Sequence, residues 1–525
     1  MDNFIQRINV GDMLTRTAAL RPASLALVDG SRRWDYAAFN GWVNRLAHGL
    51  AARGYARGDA LGLASANSAE FLAVYFACAK LGVVCVPMNL GWRSDEIAYV
   101  LGHSRARGMV VESQLVGAMA EAVTTVSDVV DVVVAPGTGA EYAASPQDRW
   151  WSTLDALLAD DASEPEVLVA DDDAISYLYT SGTTSFPKGV VGSHKAIYLG
   201  SMSGALEAGW NADDRFVAMM PMFHTAQLNA FCTAAVLVGA TIHVHRGFDP
   251  AAFLDTIERE RITQVFGLPM MFRAALEHPS FARRDLSSLK RAVYAMAPMP
   301  DALIRACLDG FACDFALLFG QTEMSPVTTL FRPEHQLSHI GAVGTPIVGV
   351  QVGIMGPDGE LLAQGERGEI VYRGPSTMNG YLRNPEATAE AFAHGWFHSG
   401  DVGSFDDDGV LWFADRYKDV IKTGGENVAS IEVEKAVYAA DPRVAEVVVV
   451  GLPHERWTEA ITAVVVPKPG ETIDGAELLE ALRQSLDGYK VPKAVIVASE
   501  LPKTSTGKIQ KNVVRDAHST HYGSS

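Results

Sequence analysis

At 525 residues the chain is too long for one hydrophobic core and is expected to hold two or three domains. Its 48% hydrophobic and 20% charged residues are the mixture of a soluble globular enzyme, and a net charge of −19 argues against general binding to nucleic acid or to an anionic membrane. Any anionic ligand must be held by local lysines, arginines and backbone donors. The five cysteines (Cys78, Cys85, Cys232, Cys307, Cys313) are odd in number, lie mostly in apolar runs and form no C-x-x-C, so they read as reduced core residues of a cytoplasmic protein. The start, MDNFIQRINV, has no basic stretch followed by an apolar run, so no export signal is visible.

In chain order, a helix begins at Asp12 and stops by Pro22, and 24–28 alternates like a strand. Asp35 can cap a helix over 36–53, where Phe39, Val43, Leu46 and Leu50 recur at helical spacing. Strand 60–64, helix 69–81, strand 83–87, helix 94–101 and strand 108–112 follow, an alternation that predicts a parallel sheet covered on both faces. The segments 71–90 and 228–245 could pass for membrane spans. Lys80, Gly82 and Pro87 interrupt the first, and Gly239 and His243 the second, so each reads as a buried helix, a glycine stop and a strand. The polar, acidic stretch 135–173 is expected as a surface excursion before a short buried strand over 174–179. The alternation then resumes with helix 195–206, strand 215–219, helix 228–238, strand 241–245, helix 250–260 and strand 264–267.

From Gly341 short strands between turns such as Pro357-Asp358-Gly359 and Asp408-Gly409 suggest a small antiparallel, barrel-like unit. A second change falls near Arg416: four of the thirteen lysines precede it and nine follow it. The last part therefore reads as a separate α+β domain, with helix 431–439, strands 445–451 and 461–467, helix 476–486 and strand 494–498.

The stretch 179–190, YTSGTTSFPKGV, holds two glycines, five Ser/Thr hydroxyls and Lys188 at the end of the 174–179 strand. Backbone N–H groups and hydroxyls in such a turn can wrap a polyphosphate, with Lys188 as a point charge at its outer end. It is not a Walker A loop, because five residues beyond Gly182 stands Pro187, and Lys188 is followed by glycine. Nor does Ser185 with Lys188 suit a serine–lysine nucleophile pair, since Pro187 and Gly189 oppose the helical turn it needs. An ordinary polar hairpin turn stays open on this composition alone.

Phe319–Ser325, FGQTEMS, follows an apolar run and should also leave a strand end. Phe319 offers a ring for a flat base, and Glu323 a hard carboxylate suited to Mg²⁺ shared with phosphate oxygens; taken alone, Glu323 reads equally as a solvated loop acid. In Ser399-Gly400-Asp401 the aspartate can accept two ribose hydroxyls, although Gly-Asp is a common turn dipeptide. Asp415-Arg416-Tyr417-Lys418-Asp419, followed by Lys422 and Gly424-Gly425-Glu426-Asn427, fits either a hinge or a plain linker. Lys508, in PKTSTGK, could enter a cleft from the tip of a small domain, although an isolated terminal lysine is usually only surface.

Taken together, YTSGTTSFPKGV, PMFH (221–224), AMAPMP (295–300), FGQTE, SGD, DRYKD, GGEN and PKTSTGK occur in one order along nearly the whole chain. This resembles the adenylate-forming superfamily, and within it the fatty-acyl and aryl-acyl-CoA synthetases. The resemblance implies an α/β fold: residues 1–415 as two doubly wound parallel-sheet subdomains plus a small barrel-like one, 416–418 as hinge, and 419–525 as a mobile α+β domain carrying Lys508. It implies an ATP-dependent acid–CoA ligase with ATP, Mg²⁺ and coenzyme A, acting on a medium- or long-chain fatty acid or a hydrophobic aryl acid.

By the same resemblance, Thr180, Ser181, Gly182, Thr183, Thr184 and Lys188 hold the outer phosphates of ATP, and Ala295, Met296, Ala297 and Pro298 wall the adenine. Phe319 stacks on the base, with Gly320 and Gln321 beside it. Thr322 meets the α-phosphate, Asp401 and Arg416 the ribose, and Glu323 with Thr184 the Mg²⁺. Lys508 touches the substrate carboxylate and α-phosphate, Lys418 is the hinge, and Gly424 and Gly425 make room for pantetheine. The acyl pocket comprises Phe223, His224, Gln227, Phe266, Ala295, Met296, Leu318, Gly320, Met324 and Ser325, with His224 also meeting the pantetheine tunnel as a lining or gating group. Without an acidic residue this pocket disfavours amino acids, while its methionines and Phe266 suit an alkyl chain or an aromatic ring. Ser185, Met296 and Ala429 depart from the family's usual glycine, glycine and proline. The expected partner is a small carboxylic acid, with no nucleic acid and no membrane-spanning segment, and a homodimer left open. Loading of a carrier protein and nucleotide binding without catalysis are the competing functions.

Overall fold

Apolar strands alternating with capped helices build two large, mostly parallel sheets in the computed structural model, which describes residues 4–137, 151–180, 187–296, 299–504 and 508–523. In the nine-stranded sheet, Leu25–Asp29, Thr241–Val244, Arg215–Ala218, Gln264–Gly267, Arg291–Tyr294 and Asp314–Gly320 lie side by side and parallel, with antiparallel strands at both edges. The eight-stranded sheet has a parallel core of Ala60–Ala64, Val84–Pro87, Ala106–Glu112, Asp131–Ala135 and Ala174–Thr180. Its far edge is antiparallel, formed by Lys188–Ser193 and the two-residue strand Gly380–Tyr381.

Helix Ala69–Leu81 is buried along its whole length. Ser68 caps its start and Gly82, at φ 71, ends it in the left-handed turn that a glycine takes without strain. Its two charged residues are paired: Glu70 with Arg32, and Lys80 with Glu164 at 2.6 Å, Lys80 also donating to Asn40 and Asn44. A second apolar run ends likewise at Gly239 before strand Thr241–Val244, so both candidate spans are buried helix, glycine and strand. No described helix is long and apolar enough to cross a membrane. All five cysteines are free thiols.

Some expectations need correction. The first helix, Val10–Leu20, starts from Asn9, whose side chain accepts the Gly11 N–H at 2.6 Å, while Asp12 pairs with Arg7. The stretch 135–173 is not all surface excursion: Trp151–Thr153 adds an edge strand, Leu154–Leu157 is a helical turn, and Glu164 folds in to neutralise Lys80. The helix expected over 228–238 opens as a π-helical segment, Ala226–Cys232, before the α-helical Thr233–Val238; its hydrophobic spacing does not separate the two windings.

The barrel-like unit is a four-stranded antiparallel sheet of Gln351–Met355, Gly368–Arg373, Phe397–Phe405 and Leu411–Arg416. A separate five-stranded sheet begins at Ile421–Thr423 and carries helices Ser430–Ala440, Gly475–Ser485 and Lys511–Ala517, with its own apolar clusters around Val449 and Val450. The chain is therefore α/β with a distinct C-terminal α+β unit.

Candidate active site

In open parallel sheets, ligands settle beyond the carboxyl ends of the strands. Several of the predicted site residues close or follow the strands of one such sheet. Strands Arg215–Ala218, Gln264–Gly267, Arg291–Tyr294 and Asp314–Gly320 are consecutive in the sheet, and their ends deliver Phe223 and His224, Phe266, Ala295 and Met296, and Leu318 to Gly320. Strands Ala174–Thr180 and Lys188–Ser193 pair antiparallel, with Thr180 opposite Lys188. Ser181, Gly182, Thr183, Thr184 and Ser185 lie outside the described residues, as do Ala297 and Pro298. Near the end of strand Ala174–Thr180, Tyr179 is fixed by His103, whose Nδ1 lies 2.9 Å from the phenol oxygen.

Beyond Gly320 the chain turns sharply through Thr322–Met324. Gly320 is required there: at φ 153, a β-carbon would stand 2.0 Å from the Pro326 carbonyl oxygen. The turn buries Glu323, whose Oε1 accepts the Tyr381 hydroxyl at 2.9 Å, while the ring of Tyr381 lies 4.9 Å from Lys188 Nζ. Among the described residues no cluster of three or more His, Cys, Asp or Glu could hold a metal. A single buried carboxylate instead fits Mg²⁺ whose other ligands are phosphate oxygens and water. Phe319 packs at 5.4 Å and 45° against Phe413, a partner that the motif reading missed.

Asp401 and Arg416 are paired residues on adjacent antiparallel strands. Asp401 is 5% exposed, and burial, partly offset by Arg416 and Lys508, pushes its carboxyl up to about 6. Its Oδ1 and the buried Gln321 Nε2 have no hydrogen-bond partner. Buried acceptors and donors of this kind are completed by water or by a ligand. Tyr372, also missed from sequence, is fully buried and stands within the field of Asp401.

Lys508 comes from the C-terminal unit, yet it shares an electrostatic environment with Arg416, Asp401, Lys418 and Asp419. The residue is exposed, yet the protein around its head group and then Arg416 push its ammonium down to about 8. Lys508 in turn acts on His224, whose imidazole is pushed down to about 4, chiefly by burial. His224 Nδ1 accepts the Ala226 N–H at 3.3 Å, so the neutral ring carries its proton on Nε2 and presents a donor. A general-base role through Nε2 is closed in this tautomer.

At the predicted hinge, Tyr417 N–H donates to the Gly400 carbonyl at 3.0 Å, and burial lowers Lys418. Beyond it, Asp415 Oδ2 accepts from both the backbone N–H and the hydroxyl of Ser430, at 2.5 and 2.6 Å, holding the start of helix Ser430–Ala440. Gly424 and Gly425 have φ 60 and 90.

The expected acyl residues are not all equally available. Gln227 is buried with its amide committed to Met220 N–H and Cys232 Sγ, and Phe266 is stacked on Phe231 at 4.4 Å. Met324 and Ser325 are also buried. Met296 has a left-handed backbone, φ 69, a conformation a glycine would take without strain, and carries a thioether side chain.

Residues 14–382 match the AMP-binding enzyme family model, and residues 432–508 match the AMP-binding enzyme C-terminal domain. The chain is 38% identical to a feruloyl-CoA synthase of Amycolatopsis sp., over 96% of this chain and 98% of that one. It is 34% identical to the indoleacetate–CoA ligase of Aromatoleum aromaticum (97% and 98% covered) and to the long-chain-fatty-acid–CoA ligase FadD13 of Mycobacterium tuberculosis (97% and 99%). Among solved structures, ATP-bound MatB from Rhodopseudomonas palustris is similar at 28% identity and TM-score 0.88, with 98% of this chain and 100% of that one covered. The apo form of that enzyme, at the same identity and coverage, scores 0.77. The chain belongs to the AMP-binding, adenylate-forming enzyme family, in its acyl-CoA synthetase branch.

Proposed function

We propose that the chain is an ATP-dependent ligase that joins a hydrophobic aryl or alkyl carboxylic acid to coenzyme A through an acyl adenylate. The observation that carries this reading is Lys508, which reaches from the C-terminal unit into the field of Asp401, Arg416 and His224. In the first step the substrate carboxylate attacks the α-phosphorus of ATP and pyrophosphate leaves. This brings anions together, so positioning and cation placement dominate. Asp401 and Arg416 hold the ribose, Phe319 the base, Thr322 and Lys508 the reacting α-phosphate, and Lys188 with the 180–184 loop the departing phosphates. Bound at Glu323, Mg²⁺ supplies charge neutralisation at the phosphates; Thr184 is its second proposed contact.

In the second step the CoA thiol attacks the acyl carbon and AMP departs. Lys508 then has no task, and a turn about Lys418 brings Gly424 and Gly425 to the pantetheine path. The higher likeness to ATP-bound than to apo MatB supports reading the present arrangement as that of the first step. His224, held neutral chiefly by burial, lines the junction of acyl pocket and tunnel. Two of the three relatives named above are named for aromatic acids, which favours an aryl acid first; the expected pocket, without an acidic residue, suits a hydrophobic acid of either kind. A panel of aryl and alkyl carboxylates, scored by CoA-dependent AMP formation, tests this. Turnover of aryl acids above alkyl acids is expected; adenylate without thioester would support carrier-protein loading instead.

A further inference from the structure

Lys188 and Glu323 come from different sheets, and one side chain touches both. The Tyr381 ring lies 4.9 Å from Lys188 Nζ, and its hydroxyl donates to Glu323 Oε1 at 2.9 Å. The backbone repeats the connection. Tyr381 lies opposite Val190 on the strand that begins with Lys188, and Leu382 N–H donates to the Gly189 carbonyl at 2.8 Å. On the other side, Met378 N–H donates to the carbonyl of Glu323 itself at 2.7 Å. Thr388 Oγ1 accepts the Tyr381 N–H at 2.9 Å, and Gly380, at φ 147, packs so closely on Thr388 that a β-carbon would lie 2.8 Å from its methyl group. The ring has little room to swing.

We infer that Tyr381 is a positioning residue for adenylation, seating the Lys188 ammonium on its ring while its hydroxyl orients Glu323 toward the metal. The inference rests on the ligase reading above. Chemically, the ring acts as a spacer. A lysine and a carboxylate left free in a half-buried site would collapse into an ion pair, and each would lose the charge that the polyphosphate or the metal needs. The ring attracts the cation without neutralising it, and the hydroxyl fixes the carboxylate without protonating it.

Tyr381→Phe keeps the ring and loses the hydroxyl; Tyr381→Leu loses both. ATP affinity is measured by titration calorimetry on each protein, with Mg²⁺ and with EDTA. Tyr381→Phe is expected to weaken ATP binding about tenfold with Mg²⁺ and less than about twofold in EDTA, whereas Tyr381→Leu weakens both. The ratio is taken on one folded sample, so partial loss of folded protein cancels. Wild-type affinities in both conditions, or equal losses in both, would overturn the positioning role. A wild-type protein that binds no ATP would instead overturn the ligase reading and the inference with it.

Discussion

Asp401 Oδ1 lies 3.3 Å from Arg416 Nε across two neighbouring strands, yet it accepts no hydrogen bond. The pair is close enough to feel each other's charge and leaves one acceptor lone. On the proposed reading, a ribose, with two vicinal hydroxyls, would supply the missing donors. Burial outweighs the arginine, so the carboxyl titrates near 6, and Lys508 near 8. Below the first value Asp401 gains a proton and ceases to accept from both hydroxyls. Above the second Lys508 loses the charge that balances the α-phosphate. The ATP kcat/KM of pyrophosphate exchange should therefore be bell-shaped, with limbs near those values reported as macroscopic constants of the coupled site. In kcat the alkaline limb should move up, because bound polyphosphate favours the ammonium. Asp401→Asn should abolish the acidic limb. A profile flat from about pH 5 to pH 9 would refute the assignment of both groups.

Lys508→Ala should cripple the first half-reaction and spare the second. An ammonium aimed at a reacting phosphate is worth roughly a hundred- to a thousand-fold in rate, and pyrophosphate exchange should fall by that order. A pre-formed acyl adenylate, supplied with CoA, should still give thioester at near the wild-type rate. Equal losses in both half-reactions would sink the two-arrangement account, since Lys508 would then act throughout.

Much of this was legible because the chemistry is local in sequence. Ser68 and Gly82 mark the ends of Ala69–Leu81 by capping alone, and the boundary near Arg416 shows as a shift in lysine content. The motifs single out Glu323, Arg416 and Lys508 at turns or strand ends, whereas Asp401, expected in a short loop, lies in the middle of strand Phe397–Phe405. Tyr381, Tyr372 and Phe413 were not legible. Each acts through a neighbour brought close by strand pairing, and nothing in a stretch such as Asn379-Gly380-Tyr381 announces Glu323 as its partner. The hydrogen bonds of Gln227 were not legible for a similar reason. Its amide looks free in sequence, but the wide turn at Ala226–Cys232 directs it to Met220.

Met296 should set the size of acid that the site accepts. Its φ of 69 costs a side-chain-bearing residue on the order of 1 kcal/mol, and that cost buys occupied space at the carboxyl end of a central strand. Met296→Gly restores the usual residue and empties that space. The variant should gain on bulkier ring-substituted acids relative to small ones by roughly tenfold or more, the scale of one to two methylenes in an apolar pocket. The comparison is the ratio of kcat/KM values within the carboxylate panel. An unchanged ratio would place Met296 outside the acyl pocket, against adenine alone.

Gly425→Leu separates the two half-reactions in the opposite sense from Lys508→Ala. Around Gly425 nothing lies within 4 Å of where a β-carbon would stand, so the position has open space at the root of a substituted side chain in the present arrangement. Its φ of 90 makes the substitution strained locally, but the loop is exposed and the strain stays in it. Gly424, by contrast, would press a β-carbon to 3.1 Å from the Trp457 ring, which makes it the poorer position to probe. When the C-terminal unit turns, Gly425 is expected to face the narrow pantetheine arm, where an isobutyl group has no room. Pyrophosphate exchange should then stay within about threefold of wild type while CoA-dependent thioester formation falls at least about a hundredfold. Retained exchange also certifies that the variant is folded. Normal thioester formation by this variant would mean that pantetheine reaches the adenylate by another path, and the assignment of Gly424 and Gly425 would fall with it.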